Sequence, residues 1–344
     1  MSHRKTELIP TNTKAAFEAA VERAAAFVLQ GHPVALPTET VYGLAANALS
    51  PEAVGRVYEA KGRPSNNPLI VHVGSWAMVE QCVERFSPAA SSLARAFWPG
   101  PLTLVLPKSE RIPPEVTAGG QTVAIRWPSH PVMQAVLKTA GVPLAAPSAN
   151  RSNGLSPTQA HHVLQQLDGR VPLIVDGGHA AVGIESTVVD LVGRPARVLR
   201  PGMIHRLSLQ AASPDLDWEA NESLDRDESV LRSPGQLKHH YAPKARLVLG
   251  SWSDSGSLSR LVEAHKVPRR LTSVVAYEGI PDSGGWARVA VIPHDAEAYA
   301  RALFSELHLC DESGSELIVV EAPPETDEWE GIRDRLGRAA AGGD

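Results

Sequence analysis

The sequence predicts an α/β protein of two domains, and three observations predict it. Short apolar runs bounded by proline or glycine recur through residues 33–202. Amphipathic stretches of helical period separate several of them, and an acidic, aliphatic-poor segment from about Ser208 to Ser233 divides this pattern from a second, smaller set of helices and strands. The expected first domain is a mixed, twisted sheet covered on both faces, and 344 residues suffice for two cores.

Residues from roughly Thr13 to Gln30 place Phe17, Ala20, Val21, Ala24 and Val28 on one helical face, with Gly31 as the stop. PVALPT, from Pro33 to Thr38, reads as a short buried strand running into a polar turn. A second helix opens with Ser50 as N-cap and Pro51 at its first position, buries Val54 and Val57, and breaks at Gly62 and Pro64. Lys61 and Arg63 therefore lie at a helix C-terminal edge. Further strands are expected at Pro68–Val73, Pro101–Pro107, Thr122–Pro128, Val142–Pro147, Pro172–Gly178, Ser186–Val192 and Ala196–Gly202, with helices at Ser87–Phe97, His130–Ala140 and Thr158–Leu167. The second domain reads as RLVLG, a helix near Leu258–His265, strands near Leu271–Tyr277 and Ala287–Ile292, a helix over Ala296–Leu309, the strand ELIVVEA and a helix over Asp327–Ala341. The expected division is residues 1–207, a linker or flap at 208–244, and a C-terminal domain at 245–344.

With 43% hydrophobic and 21% charged residues and no apolar run of bilayer length, the chain reads as a soluble protein without membrane association. MSHRKTELIP does not read as a signal peptide, so the cytoplasm is the expected location. Cys82 and Cys310 fall in separate helix-like stretches and read as core residues, not as a disulfide framework or zinc site. A net charge of −5 denies the protein the overall basic field of a dedicated nucleic-acid binder, while leaving a local basic cleft open.

No phosphate-binding GxxxxGK[ST], no GxGxxG, HExxH, CxxC pair or GxSxG is present. Instead, several strand ends run into proline-stiffened polar loops: PTETVYG, KGRPSNNP, AIRWPSH, APSANRSNGLSPT, GIESTVVD and LRPG. Ligands of open α/β sheets bind among such loops. If the loops share one rim, Lys61, Arg63, Arg126 and Arg200 converge with Ser148, Asn150, Ser156 and Ser186 on a polyanion site, since guanidinium forks and hydroxyls match phosphate and carboxylate oxygens. Taken singly, KGRP reads as a helix cap, PSAN as a self-bonded turn, His72 as a core histidine and Arg200 as a strand-end cap. Their recurrence at successive strand ends is what favours a site. The pairs His161–His162 and His239–His240 lack metal-ligand spacing.

PTETVYGL, KGRP with NPLIVHV, WPGPLTLVL, VAIRWPSHP, APSAN with SNGLSPT, GIESTVVDL and LRPG, in this order, resemble the YrdC/Sua5 family. SPGQLKHHYAPKA and the extra C-terminal unit resemble its longer, Sua5 branch, and the likeness runs from about Ala15 to the terminal RLGRAA. The resemblance implies a YrdC-like twisted mixed sheet with flanking helices plus a smaller, Rossmann-like C-terminal domain. It implies synthesis of L-threonylcarbamoyl-AMP and pyrophosphate from L-threonine, bicarbonate and ATP, the first step toward tRNA N6-threonylcarbamoyladenosine, with Mg²⁺ accompanying ATP. The family's KxR and SxN motifs fall on Lys61 and Arg63 and on Ser148 and Asn150, which are the implied catalytic set. Thr40, His72, Arg126, Ala146 and Ser186 resemble threonine-pocket positions; Arg63, Asn67, Thr122, Ser148, Ser156, Arg200 and Tyr241 resemble nucleotide-contacting ones. Metal ligands are not assigned. Tyr241, after the linker, is expected to close over the nucleotide as part of a flap. The implied partners are a threonylcarbamoyl-transferase complex acting on tRNA and a weak RNA contact, with the chain a monomer. Two other readings stand beside this one. A carbamoyltransferase sharing the module is disfavoured by the presence of only two cysteines, and a non-catalytic RNA binder by the charge.

Overall fold

The computed structural model describes residues 5–219, 241–282 and 284–341. These divide into two compact units: one of residues 5–152, 157–181 and 185–219, the other of residues 153–156, 182–184 and 241–341 apart from 283.

In the first unit the strands are β1 (Glu7–Pro10), β2 (Val34–Leu36), β3 (Gly43–Asn47), β4 (Ile70–His72), β5 (Leu102–Pro107), β6 (Thr122–Arg126), β7 (Leu144–Ala145), β8 (Leu173–Asp176), β9 (Thr187–Asp190) and β10 (Arg197–Arg200). The helices are α1 (Lys14–Leu29), α2 (Pro51–Lys61), α3 (Trp76–Cys82), α4 (Pro88–Phe97), α5 (Pro114–Thr117), α6 (Pro131–Ala140), α7 (Ala160–Leu167) and α8 (Arg206–Ala212). The strands form one mixed sheet in the order β1-β8-β2-β3-β7-β4-β6-β5-β9-β10. The expected mixed sheet with flanking helices is what the chain forms. β4 runs parallel to β6, β5 antiparallel to β6 and parallel to β9, and β10 antiparallel to β9.

The Ser50 cap read from sequence does its work, and the structure adds one at Thr13. Thr13 Oγ1 accepts from the Ala16 amide, and Ser50 Oγ from the Ala53 amide at 3.2 Å. Gly62 ends α2 in the left-handed region at φ 62°, which glycine enters without a Cβ penalty. Val28, Leu36, Leu44, Val57, Leu104, Ile125, Val136 and Ile174 are fully buried in the continuous core that fixes the sheet under the loops. Each such side chain stabilises the fold by roughly 1.5–3 kcal/mol.

Three expectations are corrected. β1, β3, α3, α5 and α8 are not among the expected elements; β3 starts at Gly43, the last residue of PTETVYG, which reads as a polar loop by composition. The run from Val142 to Pro147 pairs as a strand only at Leu144–Ala145, since the flanking prolines carry no ladder donor. The first unit does not end at 207. α8 follows, and Ala196 donates to the Asp217 carbonyl at 2.8 Å and accepts from the Glu219 amide at 2.9 Å, so residues 208–219 belong to it. The remainder of the expected linker up to residue 240, with His239 and His240, lies outside the described residues.

The second unit contains β11 (Arg246–Gly250), α9 (Ser255–Ala264), β12 (Thr272–Ala276), β13 (Arg288–Val291), α10 (Ala296–Glu312), β14 (Leu317–Glu321) and α11 (Glu330–Ala340). Its sheet is wholly parallel in the order β11-β14-β12-β13, the smaller Rossmann-like layer expected from alternating helices and strands. Val274, Leu317 and Val319 pack there against Leu258 and Val262 of α9. Cys82 and Cys310 are buried and unpaired by disulfide, as their helical settings suggested. Among the described residues no helix is long and apolar enough to cross a membrane.

Candidate active site

The first group of site residues is assembled where α2 ends. Lys61 is its last residue and only 2% exposed. Its Nζ donates to the Ser148 carbonyl at 2.5 Å, the Asn150 carbonyl at 2.6 Å and Asn150 Oδ1 at 3.2 Å. Burial, and then the neighbouring Arg63, push the lysine pKa well down. The three acceptors oppose that, because they match the three N–H groups that only the ammonium carries. All three acceptors are uncharged, so the cation is buried without a carboxylate to neutralise it in this cluster. The loop it grips is fixed from its other side as well: Leu44 donates to the Pro147 carbonyl, Ala149 to Tyr42, and Ala146 to Ile70 at 3.0 Å.

Arg63, 7% exposed, turns back on its own loop, donating through Nε to the Asn67 carbonyl at 3.3 Å and through an Nη to the Pro68 carbonyl at 3.1 Å. Tyr58 donates to the same Asn67 carbonyl, so the KGRPSNNP turn is held at two points. Asn67 is 2% exposed, and its Oδ1 is buried without a hydrogen-bond donor among the described residues.

The second group lies across the middle strands. His72 pairs in register with Arg126 on β4 and β6, and Arg126 with Thr103 on β5 and β6. Partners facing each other on adjacent strands share a sheet face, so the three form one row. Arg126 is 3% exposed and held on three sides: Nε donates to the Gly100 carbonyl at 3.3 Å, one Nη donates to Thr40 Oγ1 at 2.8 Å, and the other lies 2.7 Å from a Glu39 carboxylate oxygen. Thr40 is itself tied to Thr38, hydroxyl to hydroxyl, at 2.9 Å. Beyond Thr103 the row continues through its 2.7 Å contact with the Ser186 hydroxyl. Arg200 donates to the carbonyl of Ser186 at 3.0 Å and to its hydroxyl at 3.1 Å.

Burial, with the Arg126 charge added, pushes the His72 imidazole down to about 3 against a weaker opposing pull from Glu39. Its Nδ1 lies 3.3 Å from the Ile70 carbonyl. A neutral ring that donates there leaves Nε2 as an acceptor, suited to a hydroxyl. Because the folded value lies below the unfolded one of 6.5, His72 contributes stability that is complete above pH 6.5 and is lost as pH falls toward 3. At pH 5 the loss amounts to about 2 kcal/mol. Urea unfolding at pH 7 and pH 5 is expected to show wild type losing about that much more than His72→Asn; equal losses would contradict the assignment.

Of the remaining residues assigned from sequence, Ala146 lines the SxN loop beside β4, and Thr122 opens β6 on the same face as Arg126 but at the other end, roughly 13 Å along the strand. Ser156 and Tyr241 belong to the smaller unit. There the Ser156 carbonyl is 3.2 Å from His308 Nε2, and Tyr241, 1% exposed with φ 63°, packs on Phe304 and under the Arg335 guanidinium. Thus Lys61, Ser148 and Asn150 meet, Thr40, His72 and Arg126 meet, and Ser186 meets Arg200, all within the first unit. Sequence reasoning missed Glu39, Thr38 and Thr103. Glu39 had a legible signal, as an acid beside Thr40 inside a segment otherwise free of charge; Thr103, in the middle of an apolar strand, had none.

A family profile described as telomere recombination, Sua5_yciO_yrdC, matches residues 26–202, and one described as the threonylcarbamoyl-AMP synthase C-terminal domain matches residues 200–341. A threonylcarbamoyl-AMP synthase of Bacillus subtilis is 40% identical over 94% of this chain and 93% of its own. One of Pyrococcus abyssi is 38% identical over 92% of this chain and 93% of its own. The crystal structure of P. abyssi Sua5 complexed with L-threonine superimposes with a TM-score of 0.86 at 35% identity, covering 97% of each chain.

Proposed function

The chain belongs to the YrdC/Sua5 family and is an enzyme of the threonylcarbamoyl-AMP synthase type, and from that premise we propose that it joins L-threonine, bicarbonate and ATP into threonylcarbamoyl-AMP with release of pyrophosphate. The observation that carries this reading is the buried Lys61 Nζ, gripped by three neutral oxygens of the SxN loop, where an arriving anion opposes the downward pull of burial and favours the ammonium.

In this reading the threonine amine adds to the carbon of bicarbonate and water is lost, giving a carbamate, whose oxygen bonds to the α-phosphorus of ATP as the bond to the bridging oxygen breaks and pyrophosphate leaves. Nucleophile and electrophile are both anionic, so the barrier is largely electrostatic. Lys61 and Arg63 lower it by compensating charge on the phosphoryl oxygens and the leaving group, at no reorganisation cost because both are locked beforehand. Arg126 takes the threonine carboxylate, and His72, neutral at working pH, accepts from its hydroxyl. Magnesium enters as part of the nucleotide substrate, with the triphosphate oxygens as its natural ligands; among the described residues no cluster of His, Cys, Asp and Glu is built to hold it. The product is a mixed anhydride, an activated acyl donor, and the class of reaction that consumes it is transfer of the threonylcarbamoyl group to an amine, which we assign to a complex acting on tRNA.

The test is to incubate the protein with threonine, bicarbonate and MgATP and to measure pyrophosphate and threonylcarbamoyl-AMP. Both are expected only when all three substrates are present, with serine a poorer substrate than threonine. Pyrophosphate release that is indifferent to threonine would overturn the reading.

A further inference from the structure

We propose that Glu39 is the receptor for the amino group of the amino-acid substrate, so that the pocket reads both halves of a zwitterion: the carboxylate through Arg126 and the ammonium through Glu39. The inference rests on the threonine reading given above and adds to it a residue which that reading does not use.

Three observations carry it. Glu39 is 6% exposed, and neither carboxylate oxygen receives an aligned hydrogen bond among the described residues. Arg126 lies 2.7 Å from Oε1, but the same guanidinium nitrogen is itself without an aligned acceptor, so the pair meets off the N–H axis and leaves the carboxylate short of well-aligned donors. A buried carboxylate normally accepts several hydrogen bonds, and one that does not holds capacity for a donor. Second, the capacity sits in the correct place. Glu39 is adjacent in sequence to Thr40, which Arg126 also holds, and the charged and titratable groups acting on it are Arg126, His72 and His130. Both histidines are pushed down by burial, leaving Arg126 as the cation that Glu39 faces. Third, the carboxylate stays ionised. Burial, the largest single influence, would raise it, but the Arg126 charge and guanidinium contact together with the Glu39 and Ser129 amides outweigh it and hold the carboxyl below the usual carboxylate range. A buried anion beside a guanidinium that takes the carboxylate of the same ligand complements an α-amino acid better than a simple carboxylic acid. Once the amine is converted to a carbamate, one N–H remains on the nitrogen to donate to Glu39, so the same contact orients it through the reaction.

The test compares threonine with its α-hydroxy analogue, which keeps the carboxylate, the side-chain hydroxyl and the shape but replaces the ammonium with a neutral group. In calorimetric titrations wild type is expected to prefer threonine by about 30-fold or more, the value of a hydrogen-bonded charge contact. Glu39→Gln, checked for fold by its melting curve, is expected to bring the two ligands within about 3-fold of each other, mainly by weakening threonine. A role confined to holding Arg126 would weaken both ligands in parallel and leave the preference intact, and that result would overturn the proposal. So would a wild-type protein that binds the two within about 3-fold, a measurement that needs no variant. If wild type binds neither ligand, the threonine reading itself fails and takes this one with it.

Discussion

Lys61→Ala is expected to lower the rate of threonine-dependent pyrophosphate release by about a thousandfold or more, and to do so with a folded protein. Two separable losses are combined in that figure. The first is chemical: the buried ammonium, held among uncharged oxygens, is the charge that answers the phosphoryl group. The second is structural, since the Ser148 and Asn150 carbonyls lose their donor, and a buried orphaned acceptor costs about 1–3 kcal/mol. Lys61→Met separates them, because it keeps the aliphatic stem and the packing beside α2 while removing every donor. Urea unfolding should register a loss of about 2–4 kcal/mol for either variant, with a protein still folded at 25 °C. Retention by either variant of more than about a tenth of the wild-type rate would remove Lys61 from the chemistry and leave it a loop staple.

Arg126→Ala is the second large effect, and its sign with pH is the more informative part. Removing the guanidinium strands the Glu39 carboxylate in a buried site, and breaking a buried pair from one side costs about 3–5 kcal/mol. In wild type Glu39 is held below its ordinary value, so it contributes stability above that value which is lost as pH falls. In Arg126→Ala only the Glu39 and Ser129 amides are left to oppose burial and the carboxyl rises, so the sign inverts: near neutral pH the ionised form is a liability, relieved on acidification. The unfolding free energy of the variant is therefore expected to recover relative to wild type between pH 7 and pH 5. Adding Glu39→Gln should restore most of the stability at pH 7 without restoring threonine-dependent pyrophosphate release. Losses that simply add in the double variant would show that the two side chains are not coupled, contrary to their 2.7 Å approach.

Much of the architecture was legible because it is local. The cap at Ser50, the stop at Gly62 and the apolar face of α1 depend on residues a few positions apart, and they fold as their chemistry dictates. β1 and β3 were missed because each is held by partners far along the chain. β1 is an edge strand of mixed composition that pairs with β8 more than 160 residues on, and β3, written as a polar-to-small loop, becomes a strand only where β2 and β7 offer it ladders on both sides. α8 sits in a stretch whose acidic neighbours masked it, and the bonds of Ala196 to Asp217 and Glu219 draw the chain past it into the first unit.

The amino-acid sequence by itself determined the class of fold, the division into two units and the family, since segment periodicity, proline-stiffened loops and an ordered set of short motifs are properties of the chain read in one dimension. The tertiary structure alone decided how those residues are used. It put Lys61 on the carbonyls of residues 148 and 150, set His72, Arg126 and Thr103 in a single row, and brought Glu39 against the Arg126 guanidinium. The physical reason is that charge compensation, burial and register are relations between distant segments: a carboxylate's partner, and the pKa that partner imposes, exist only after the strands between them have paired.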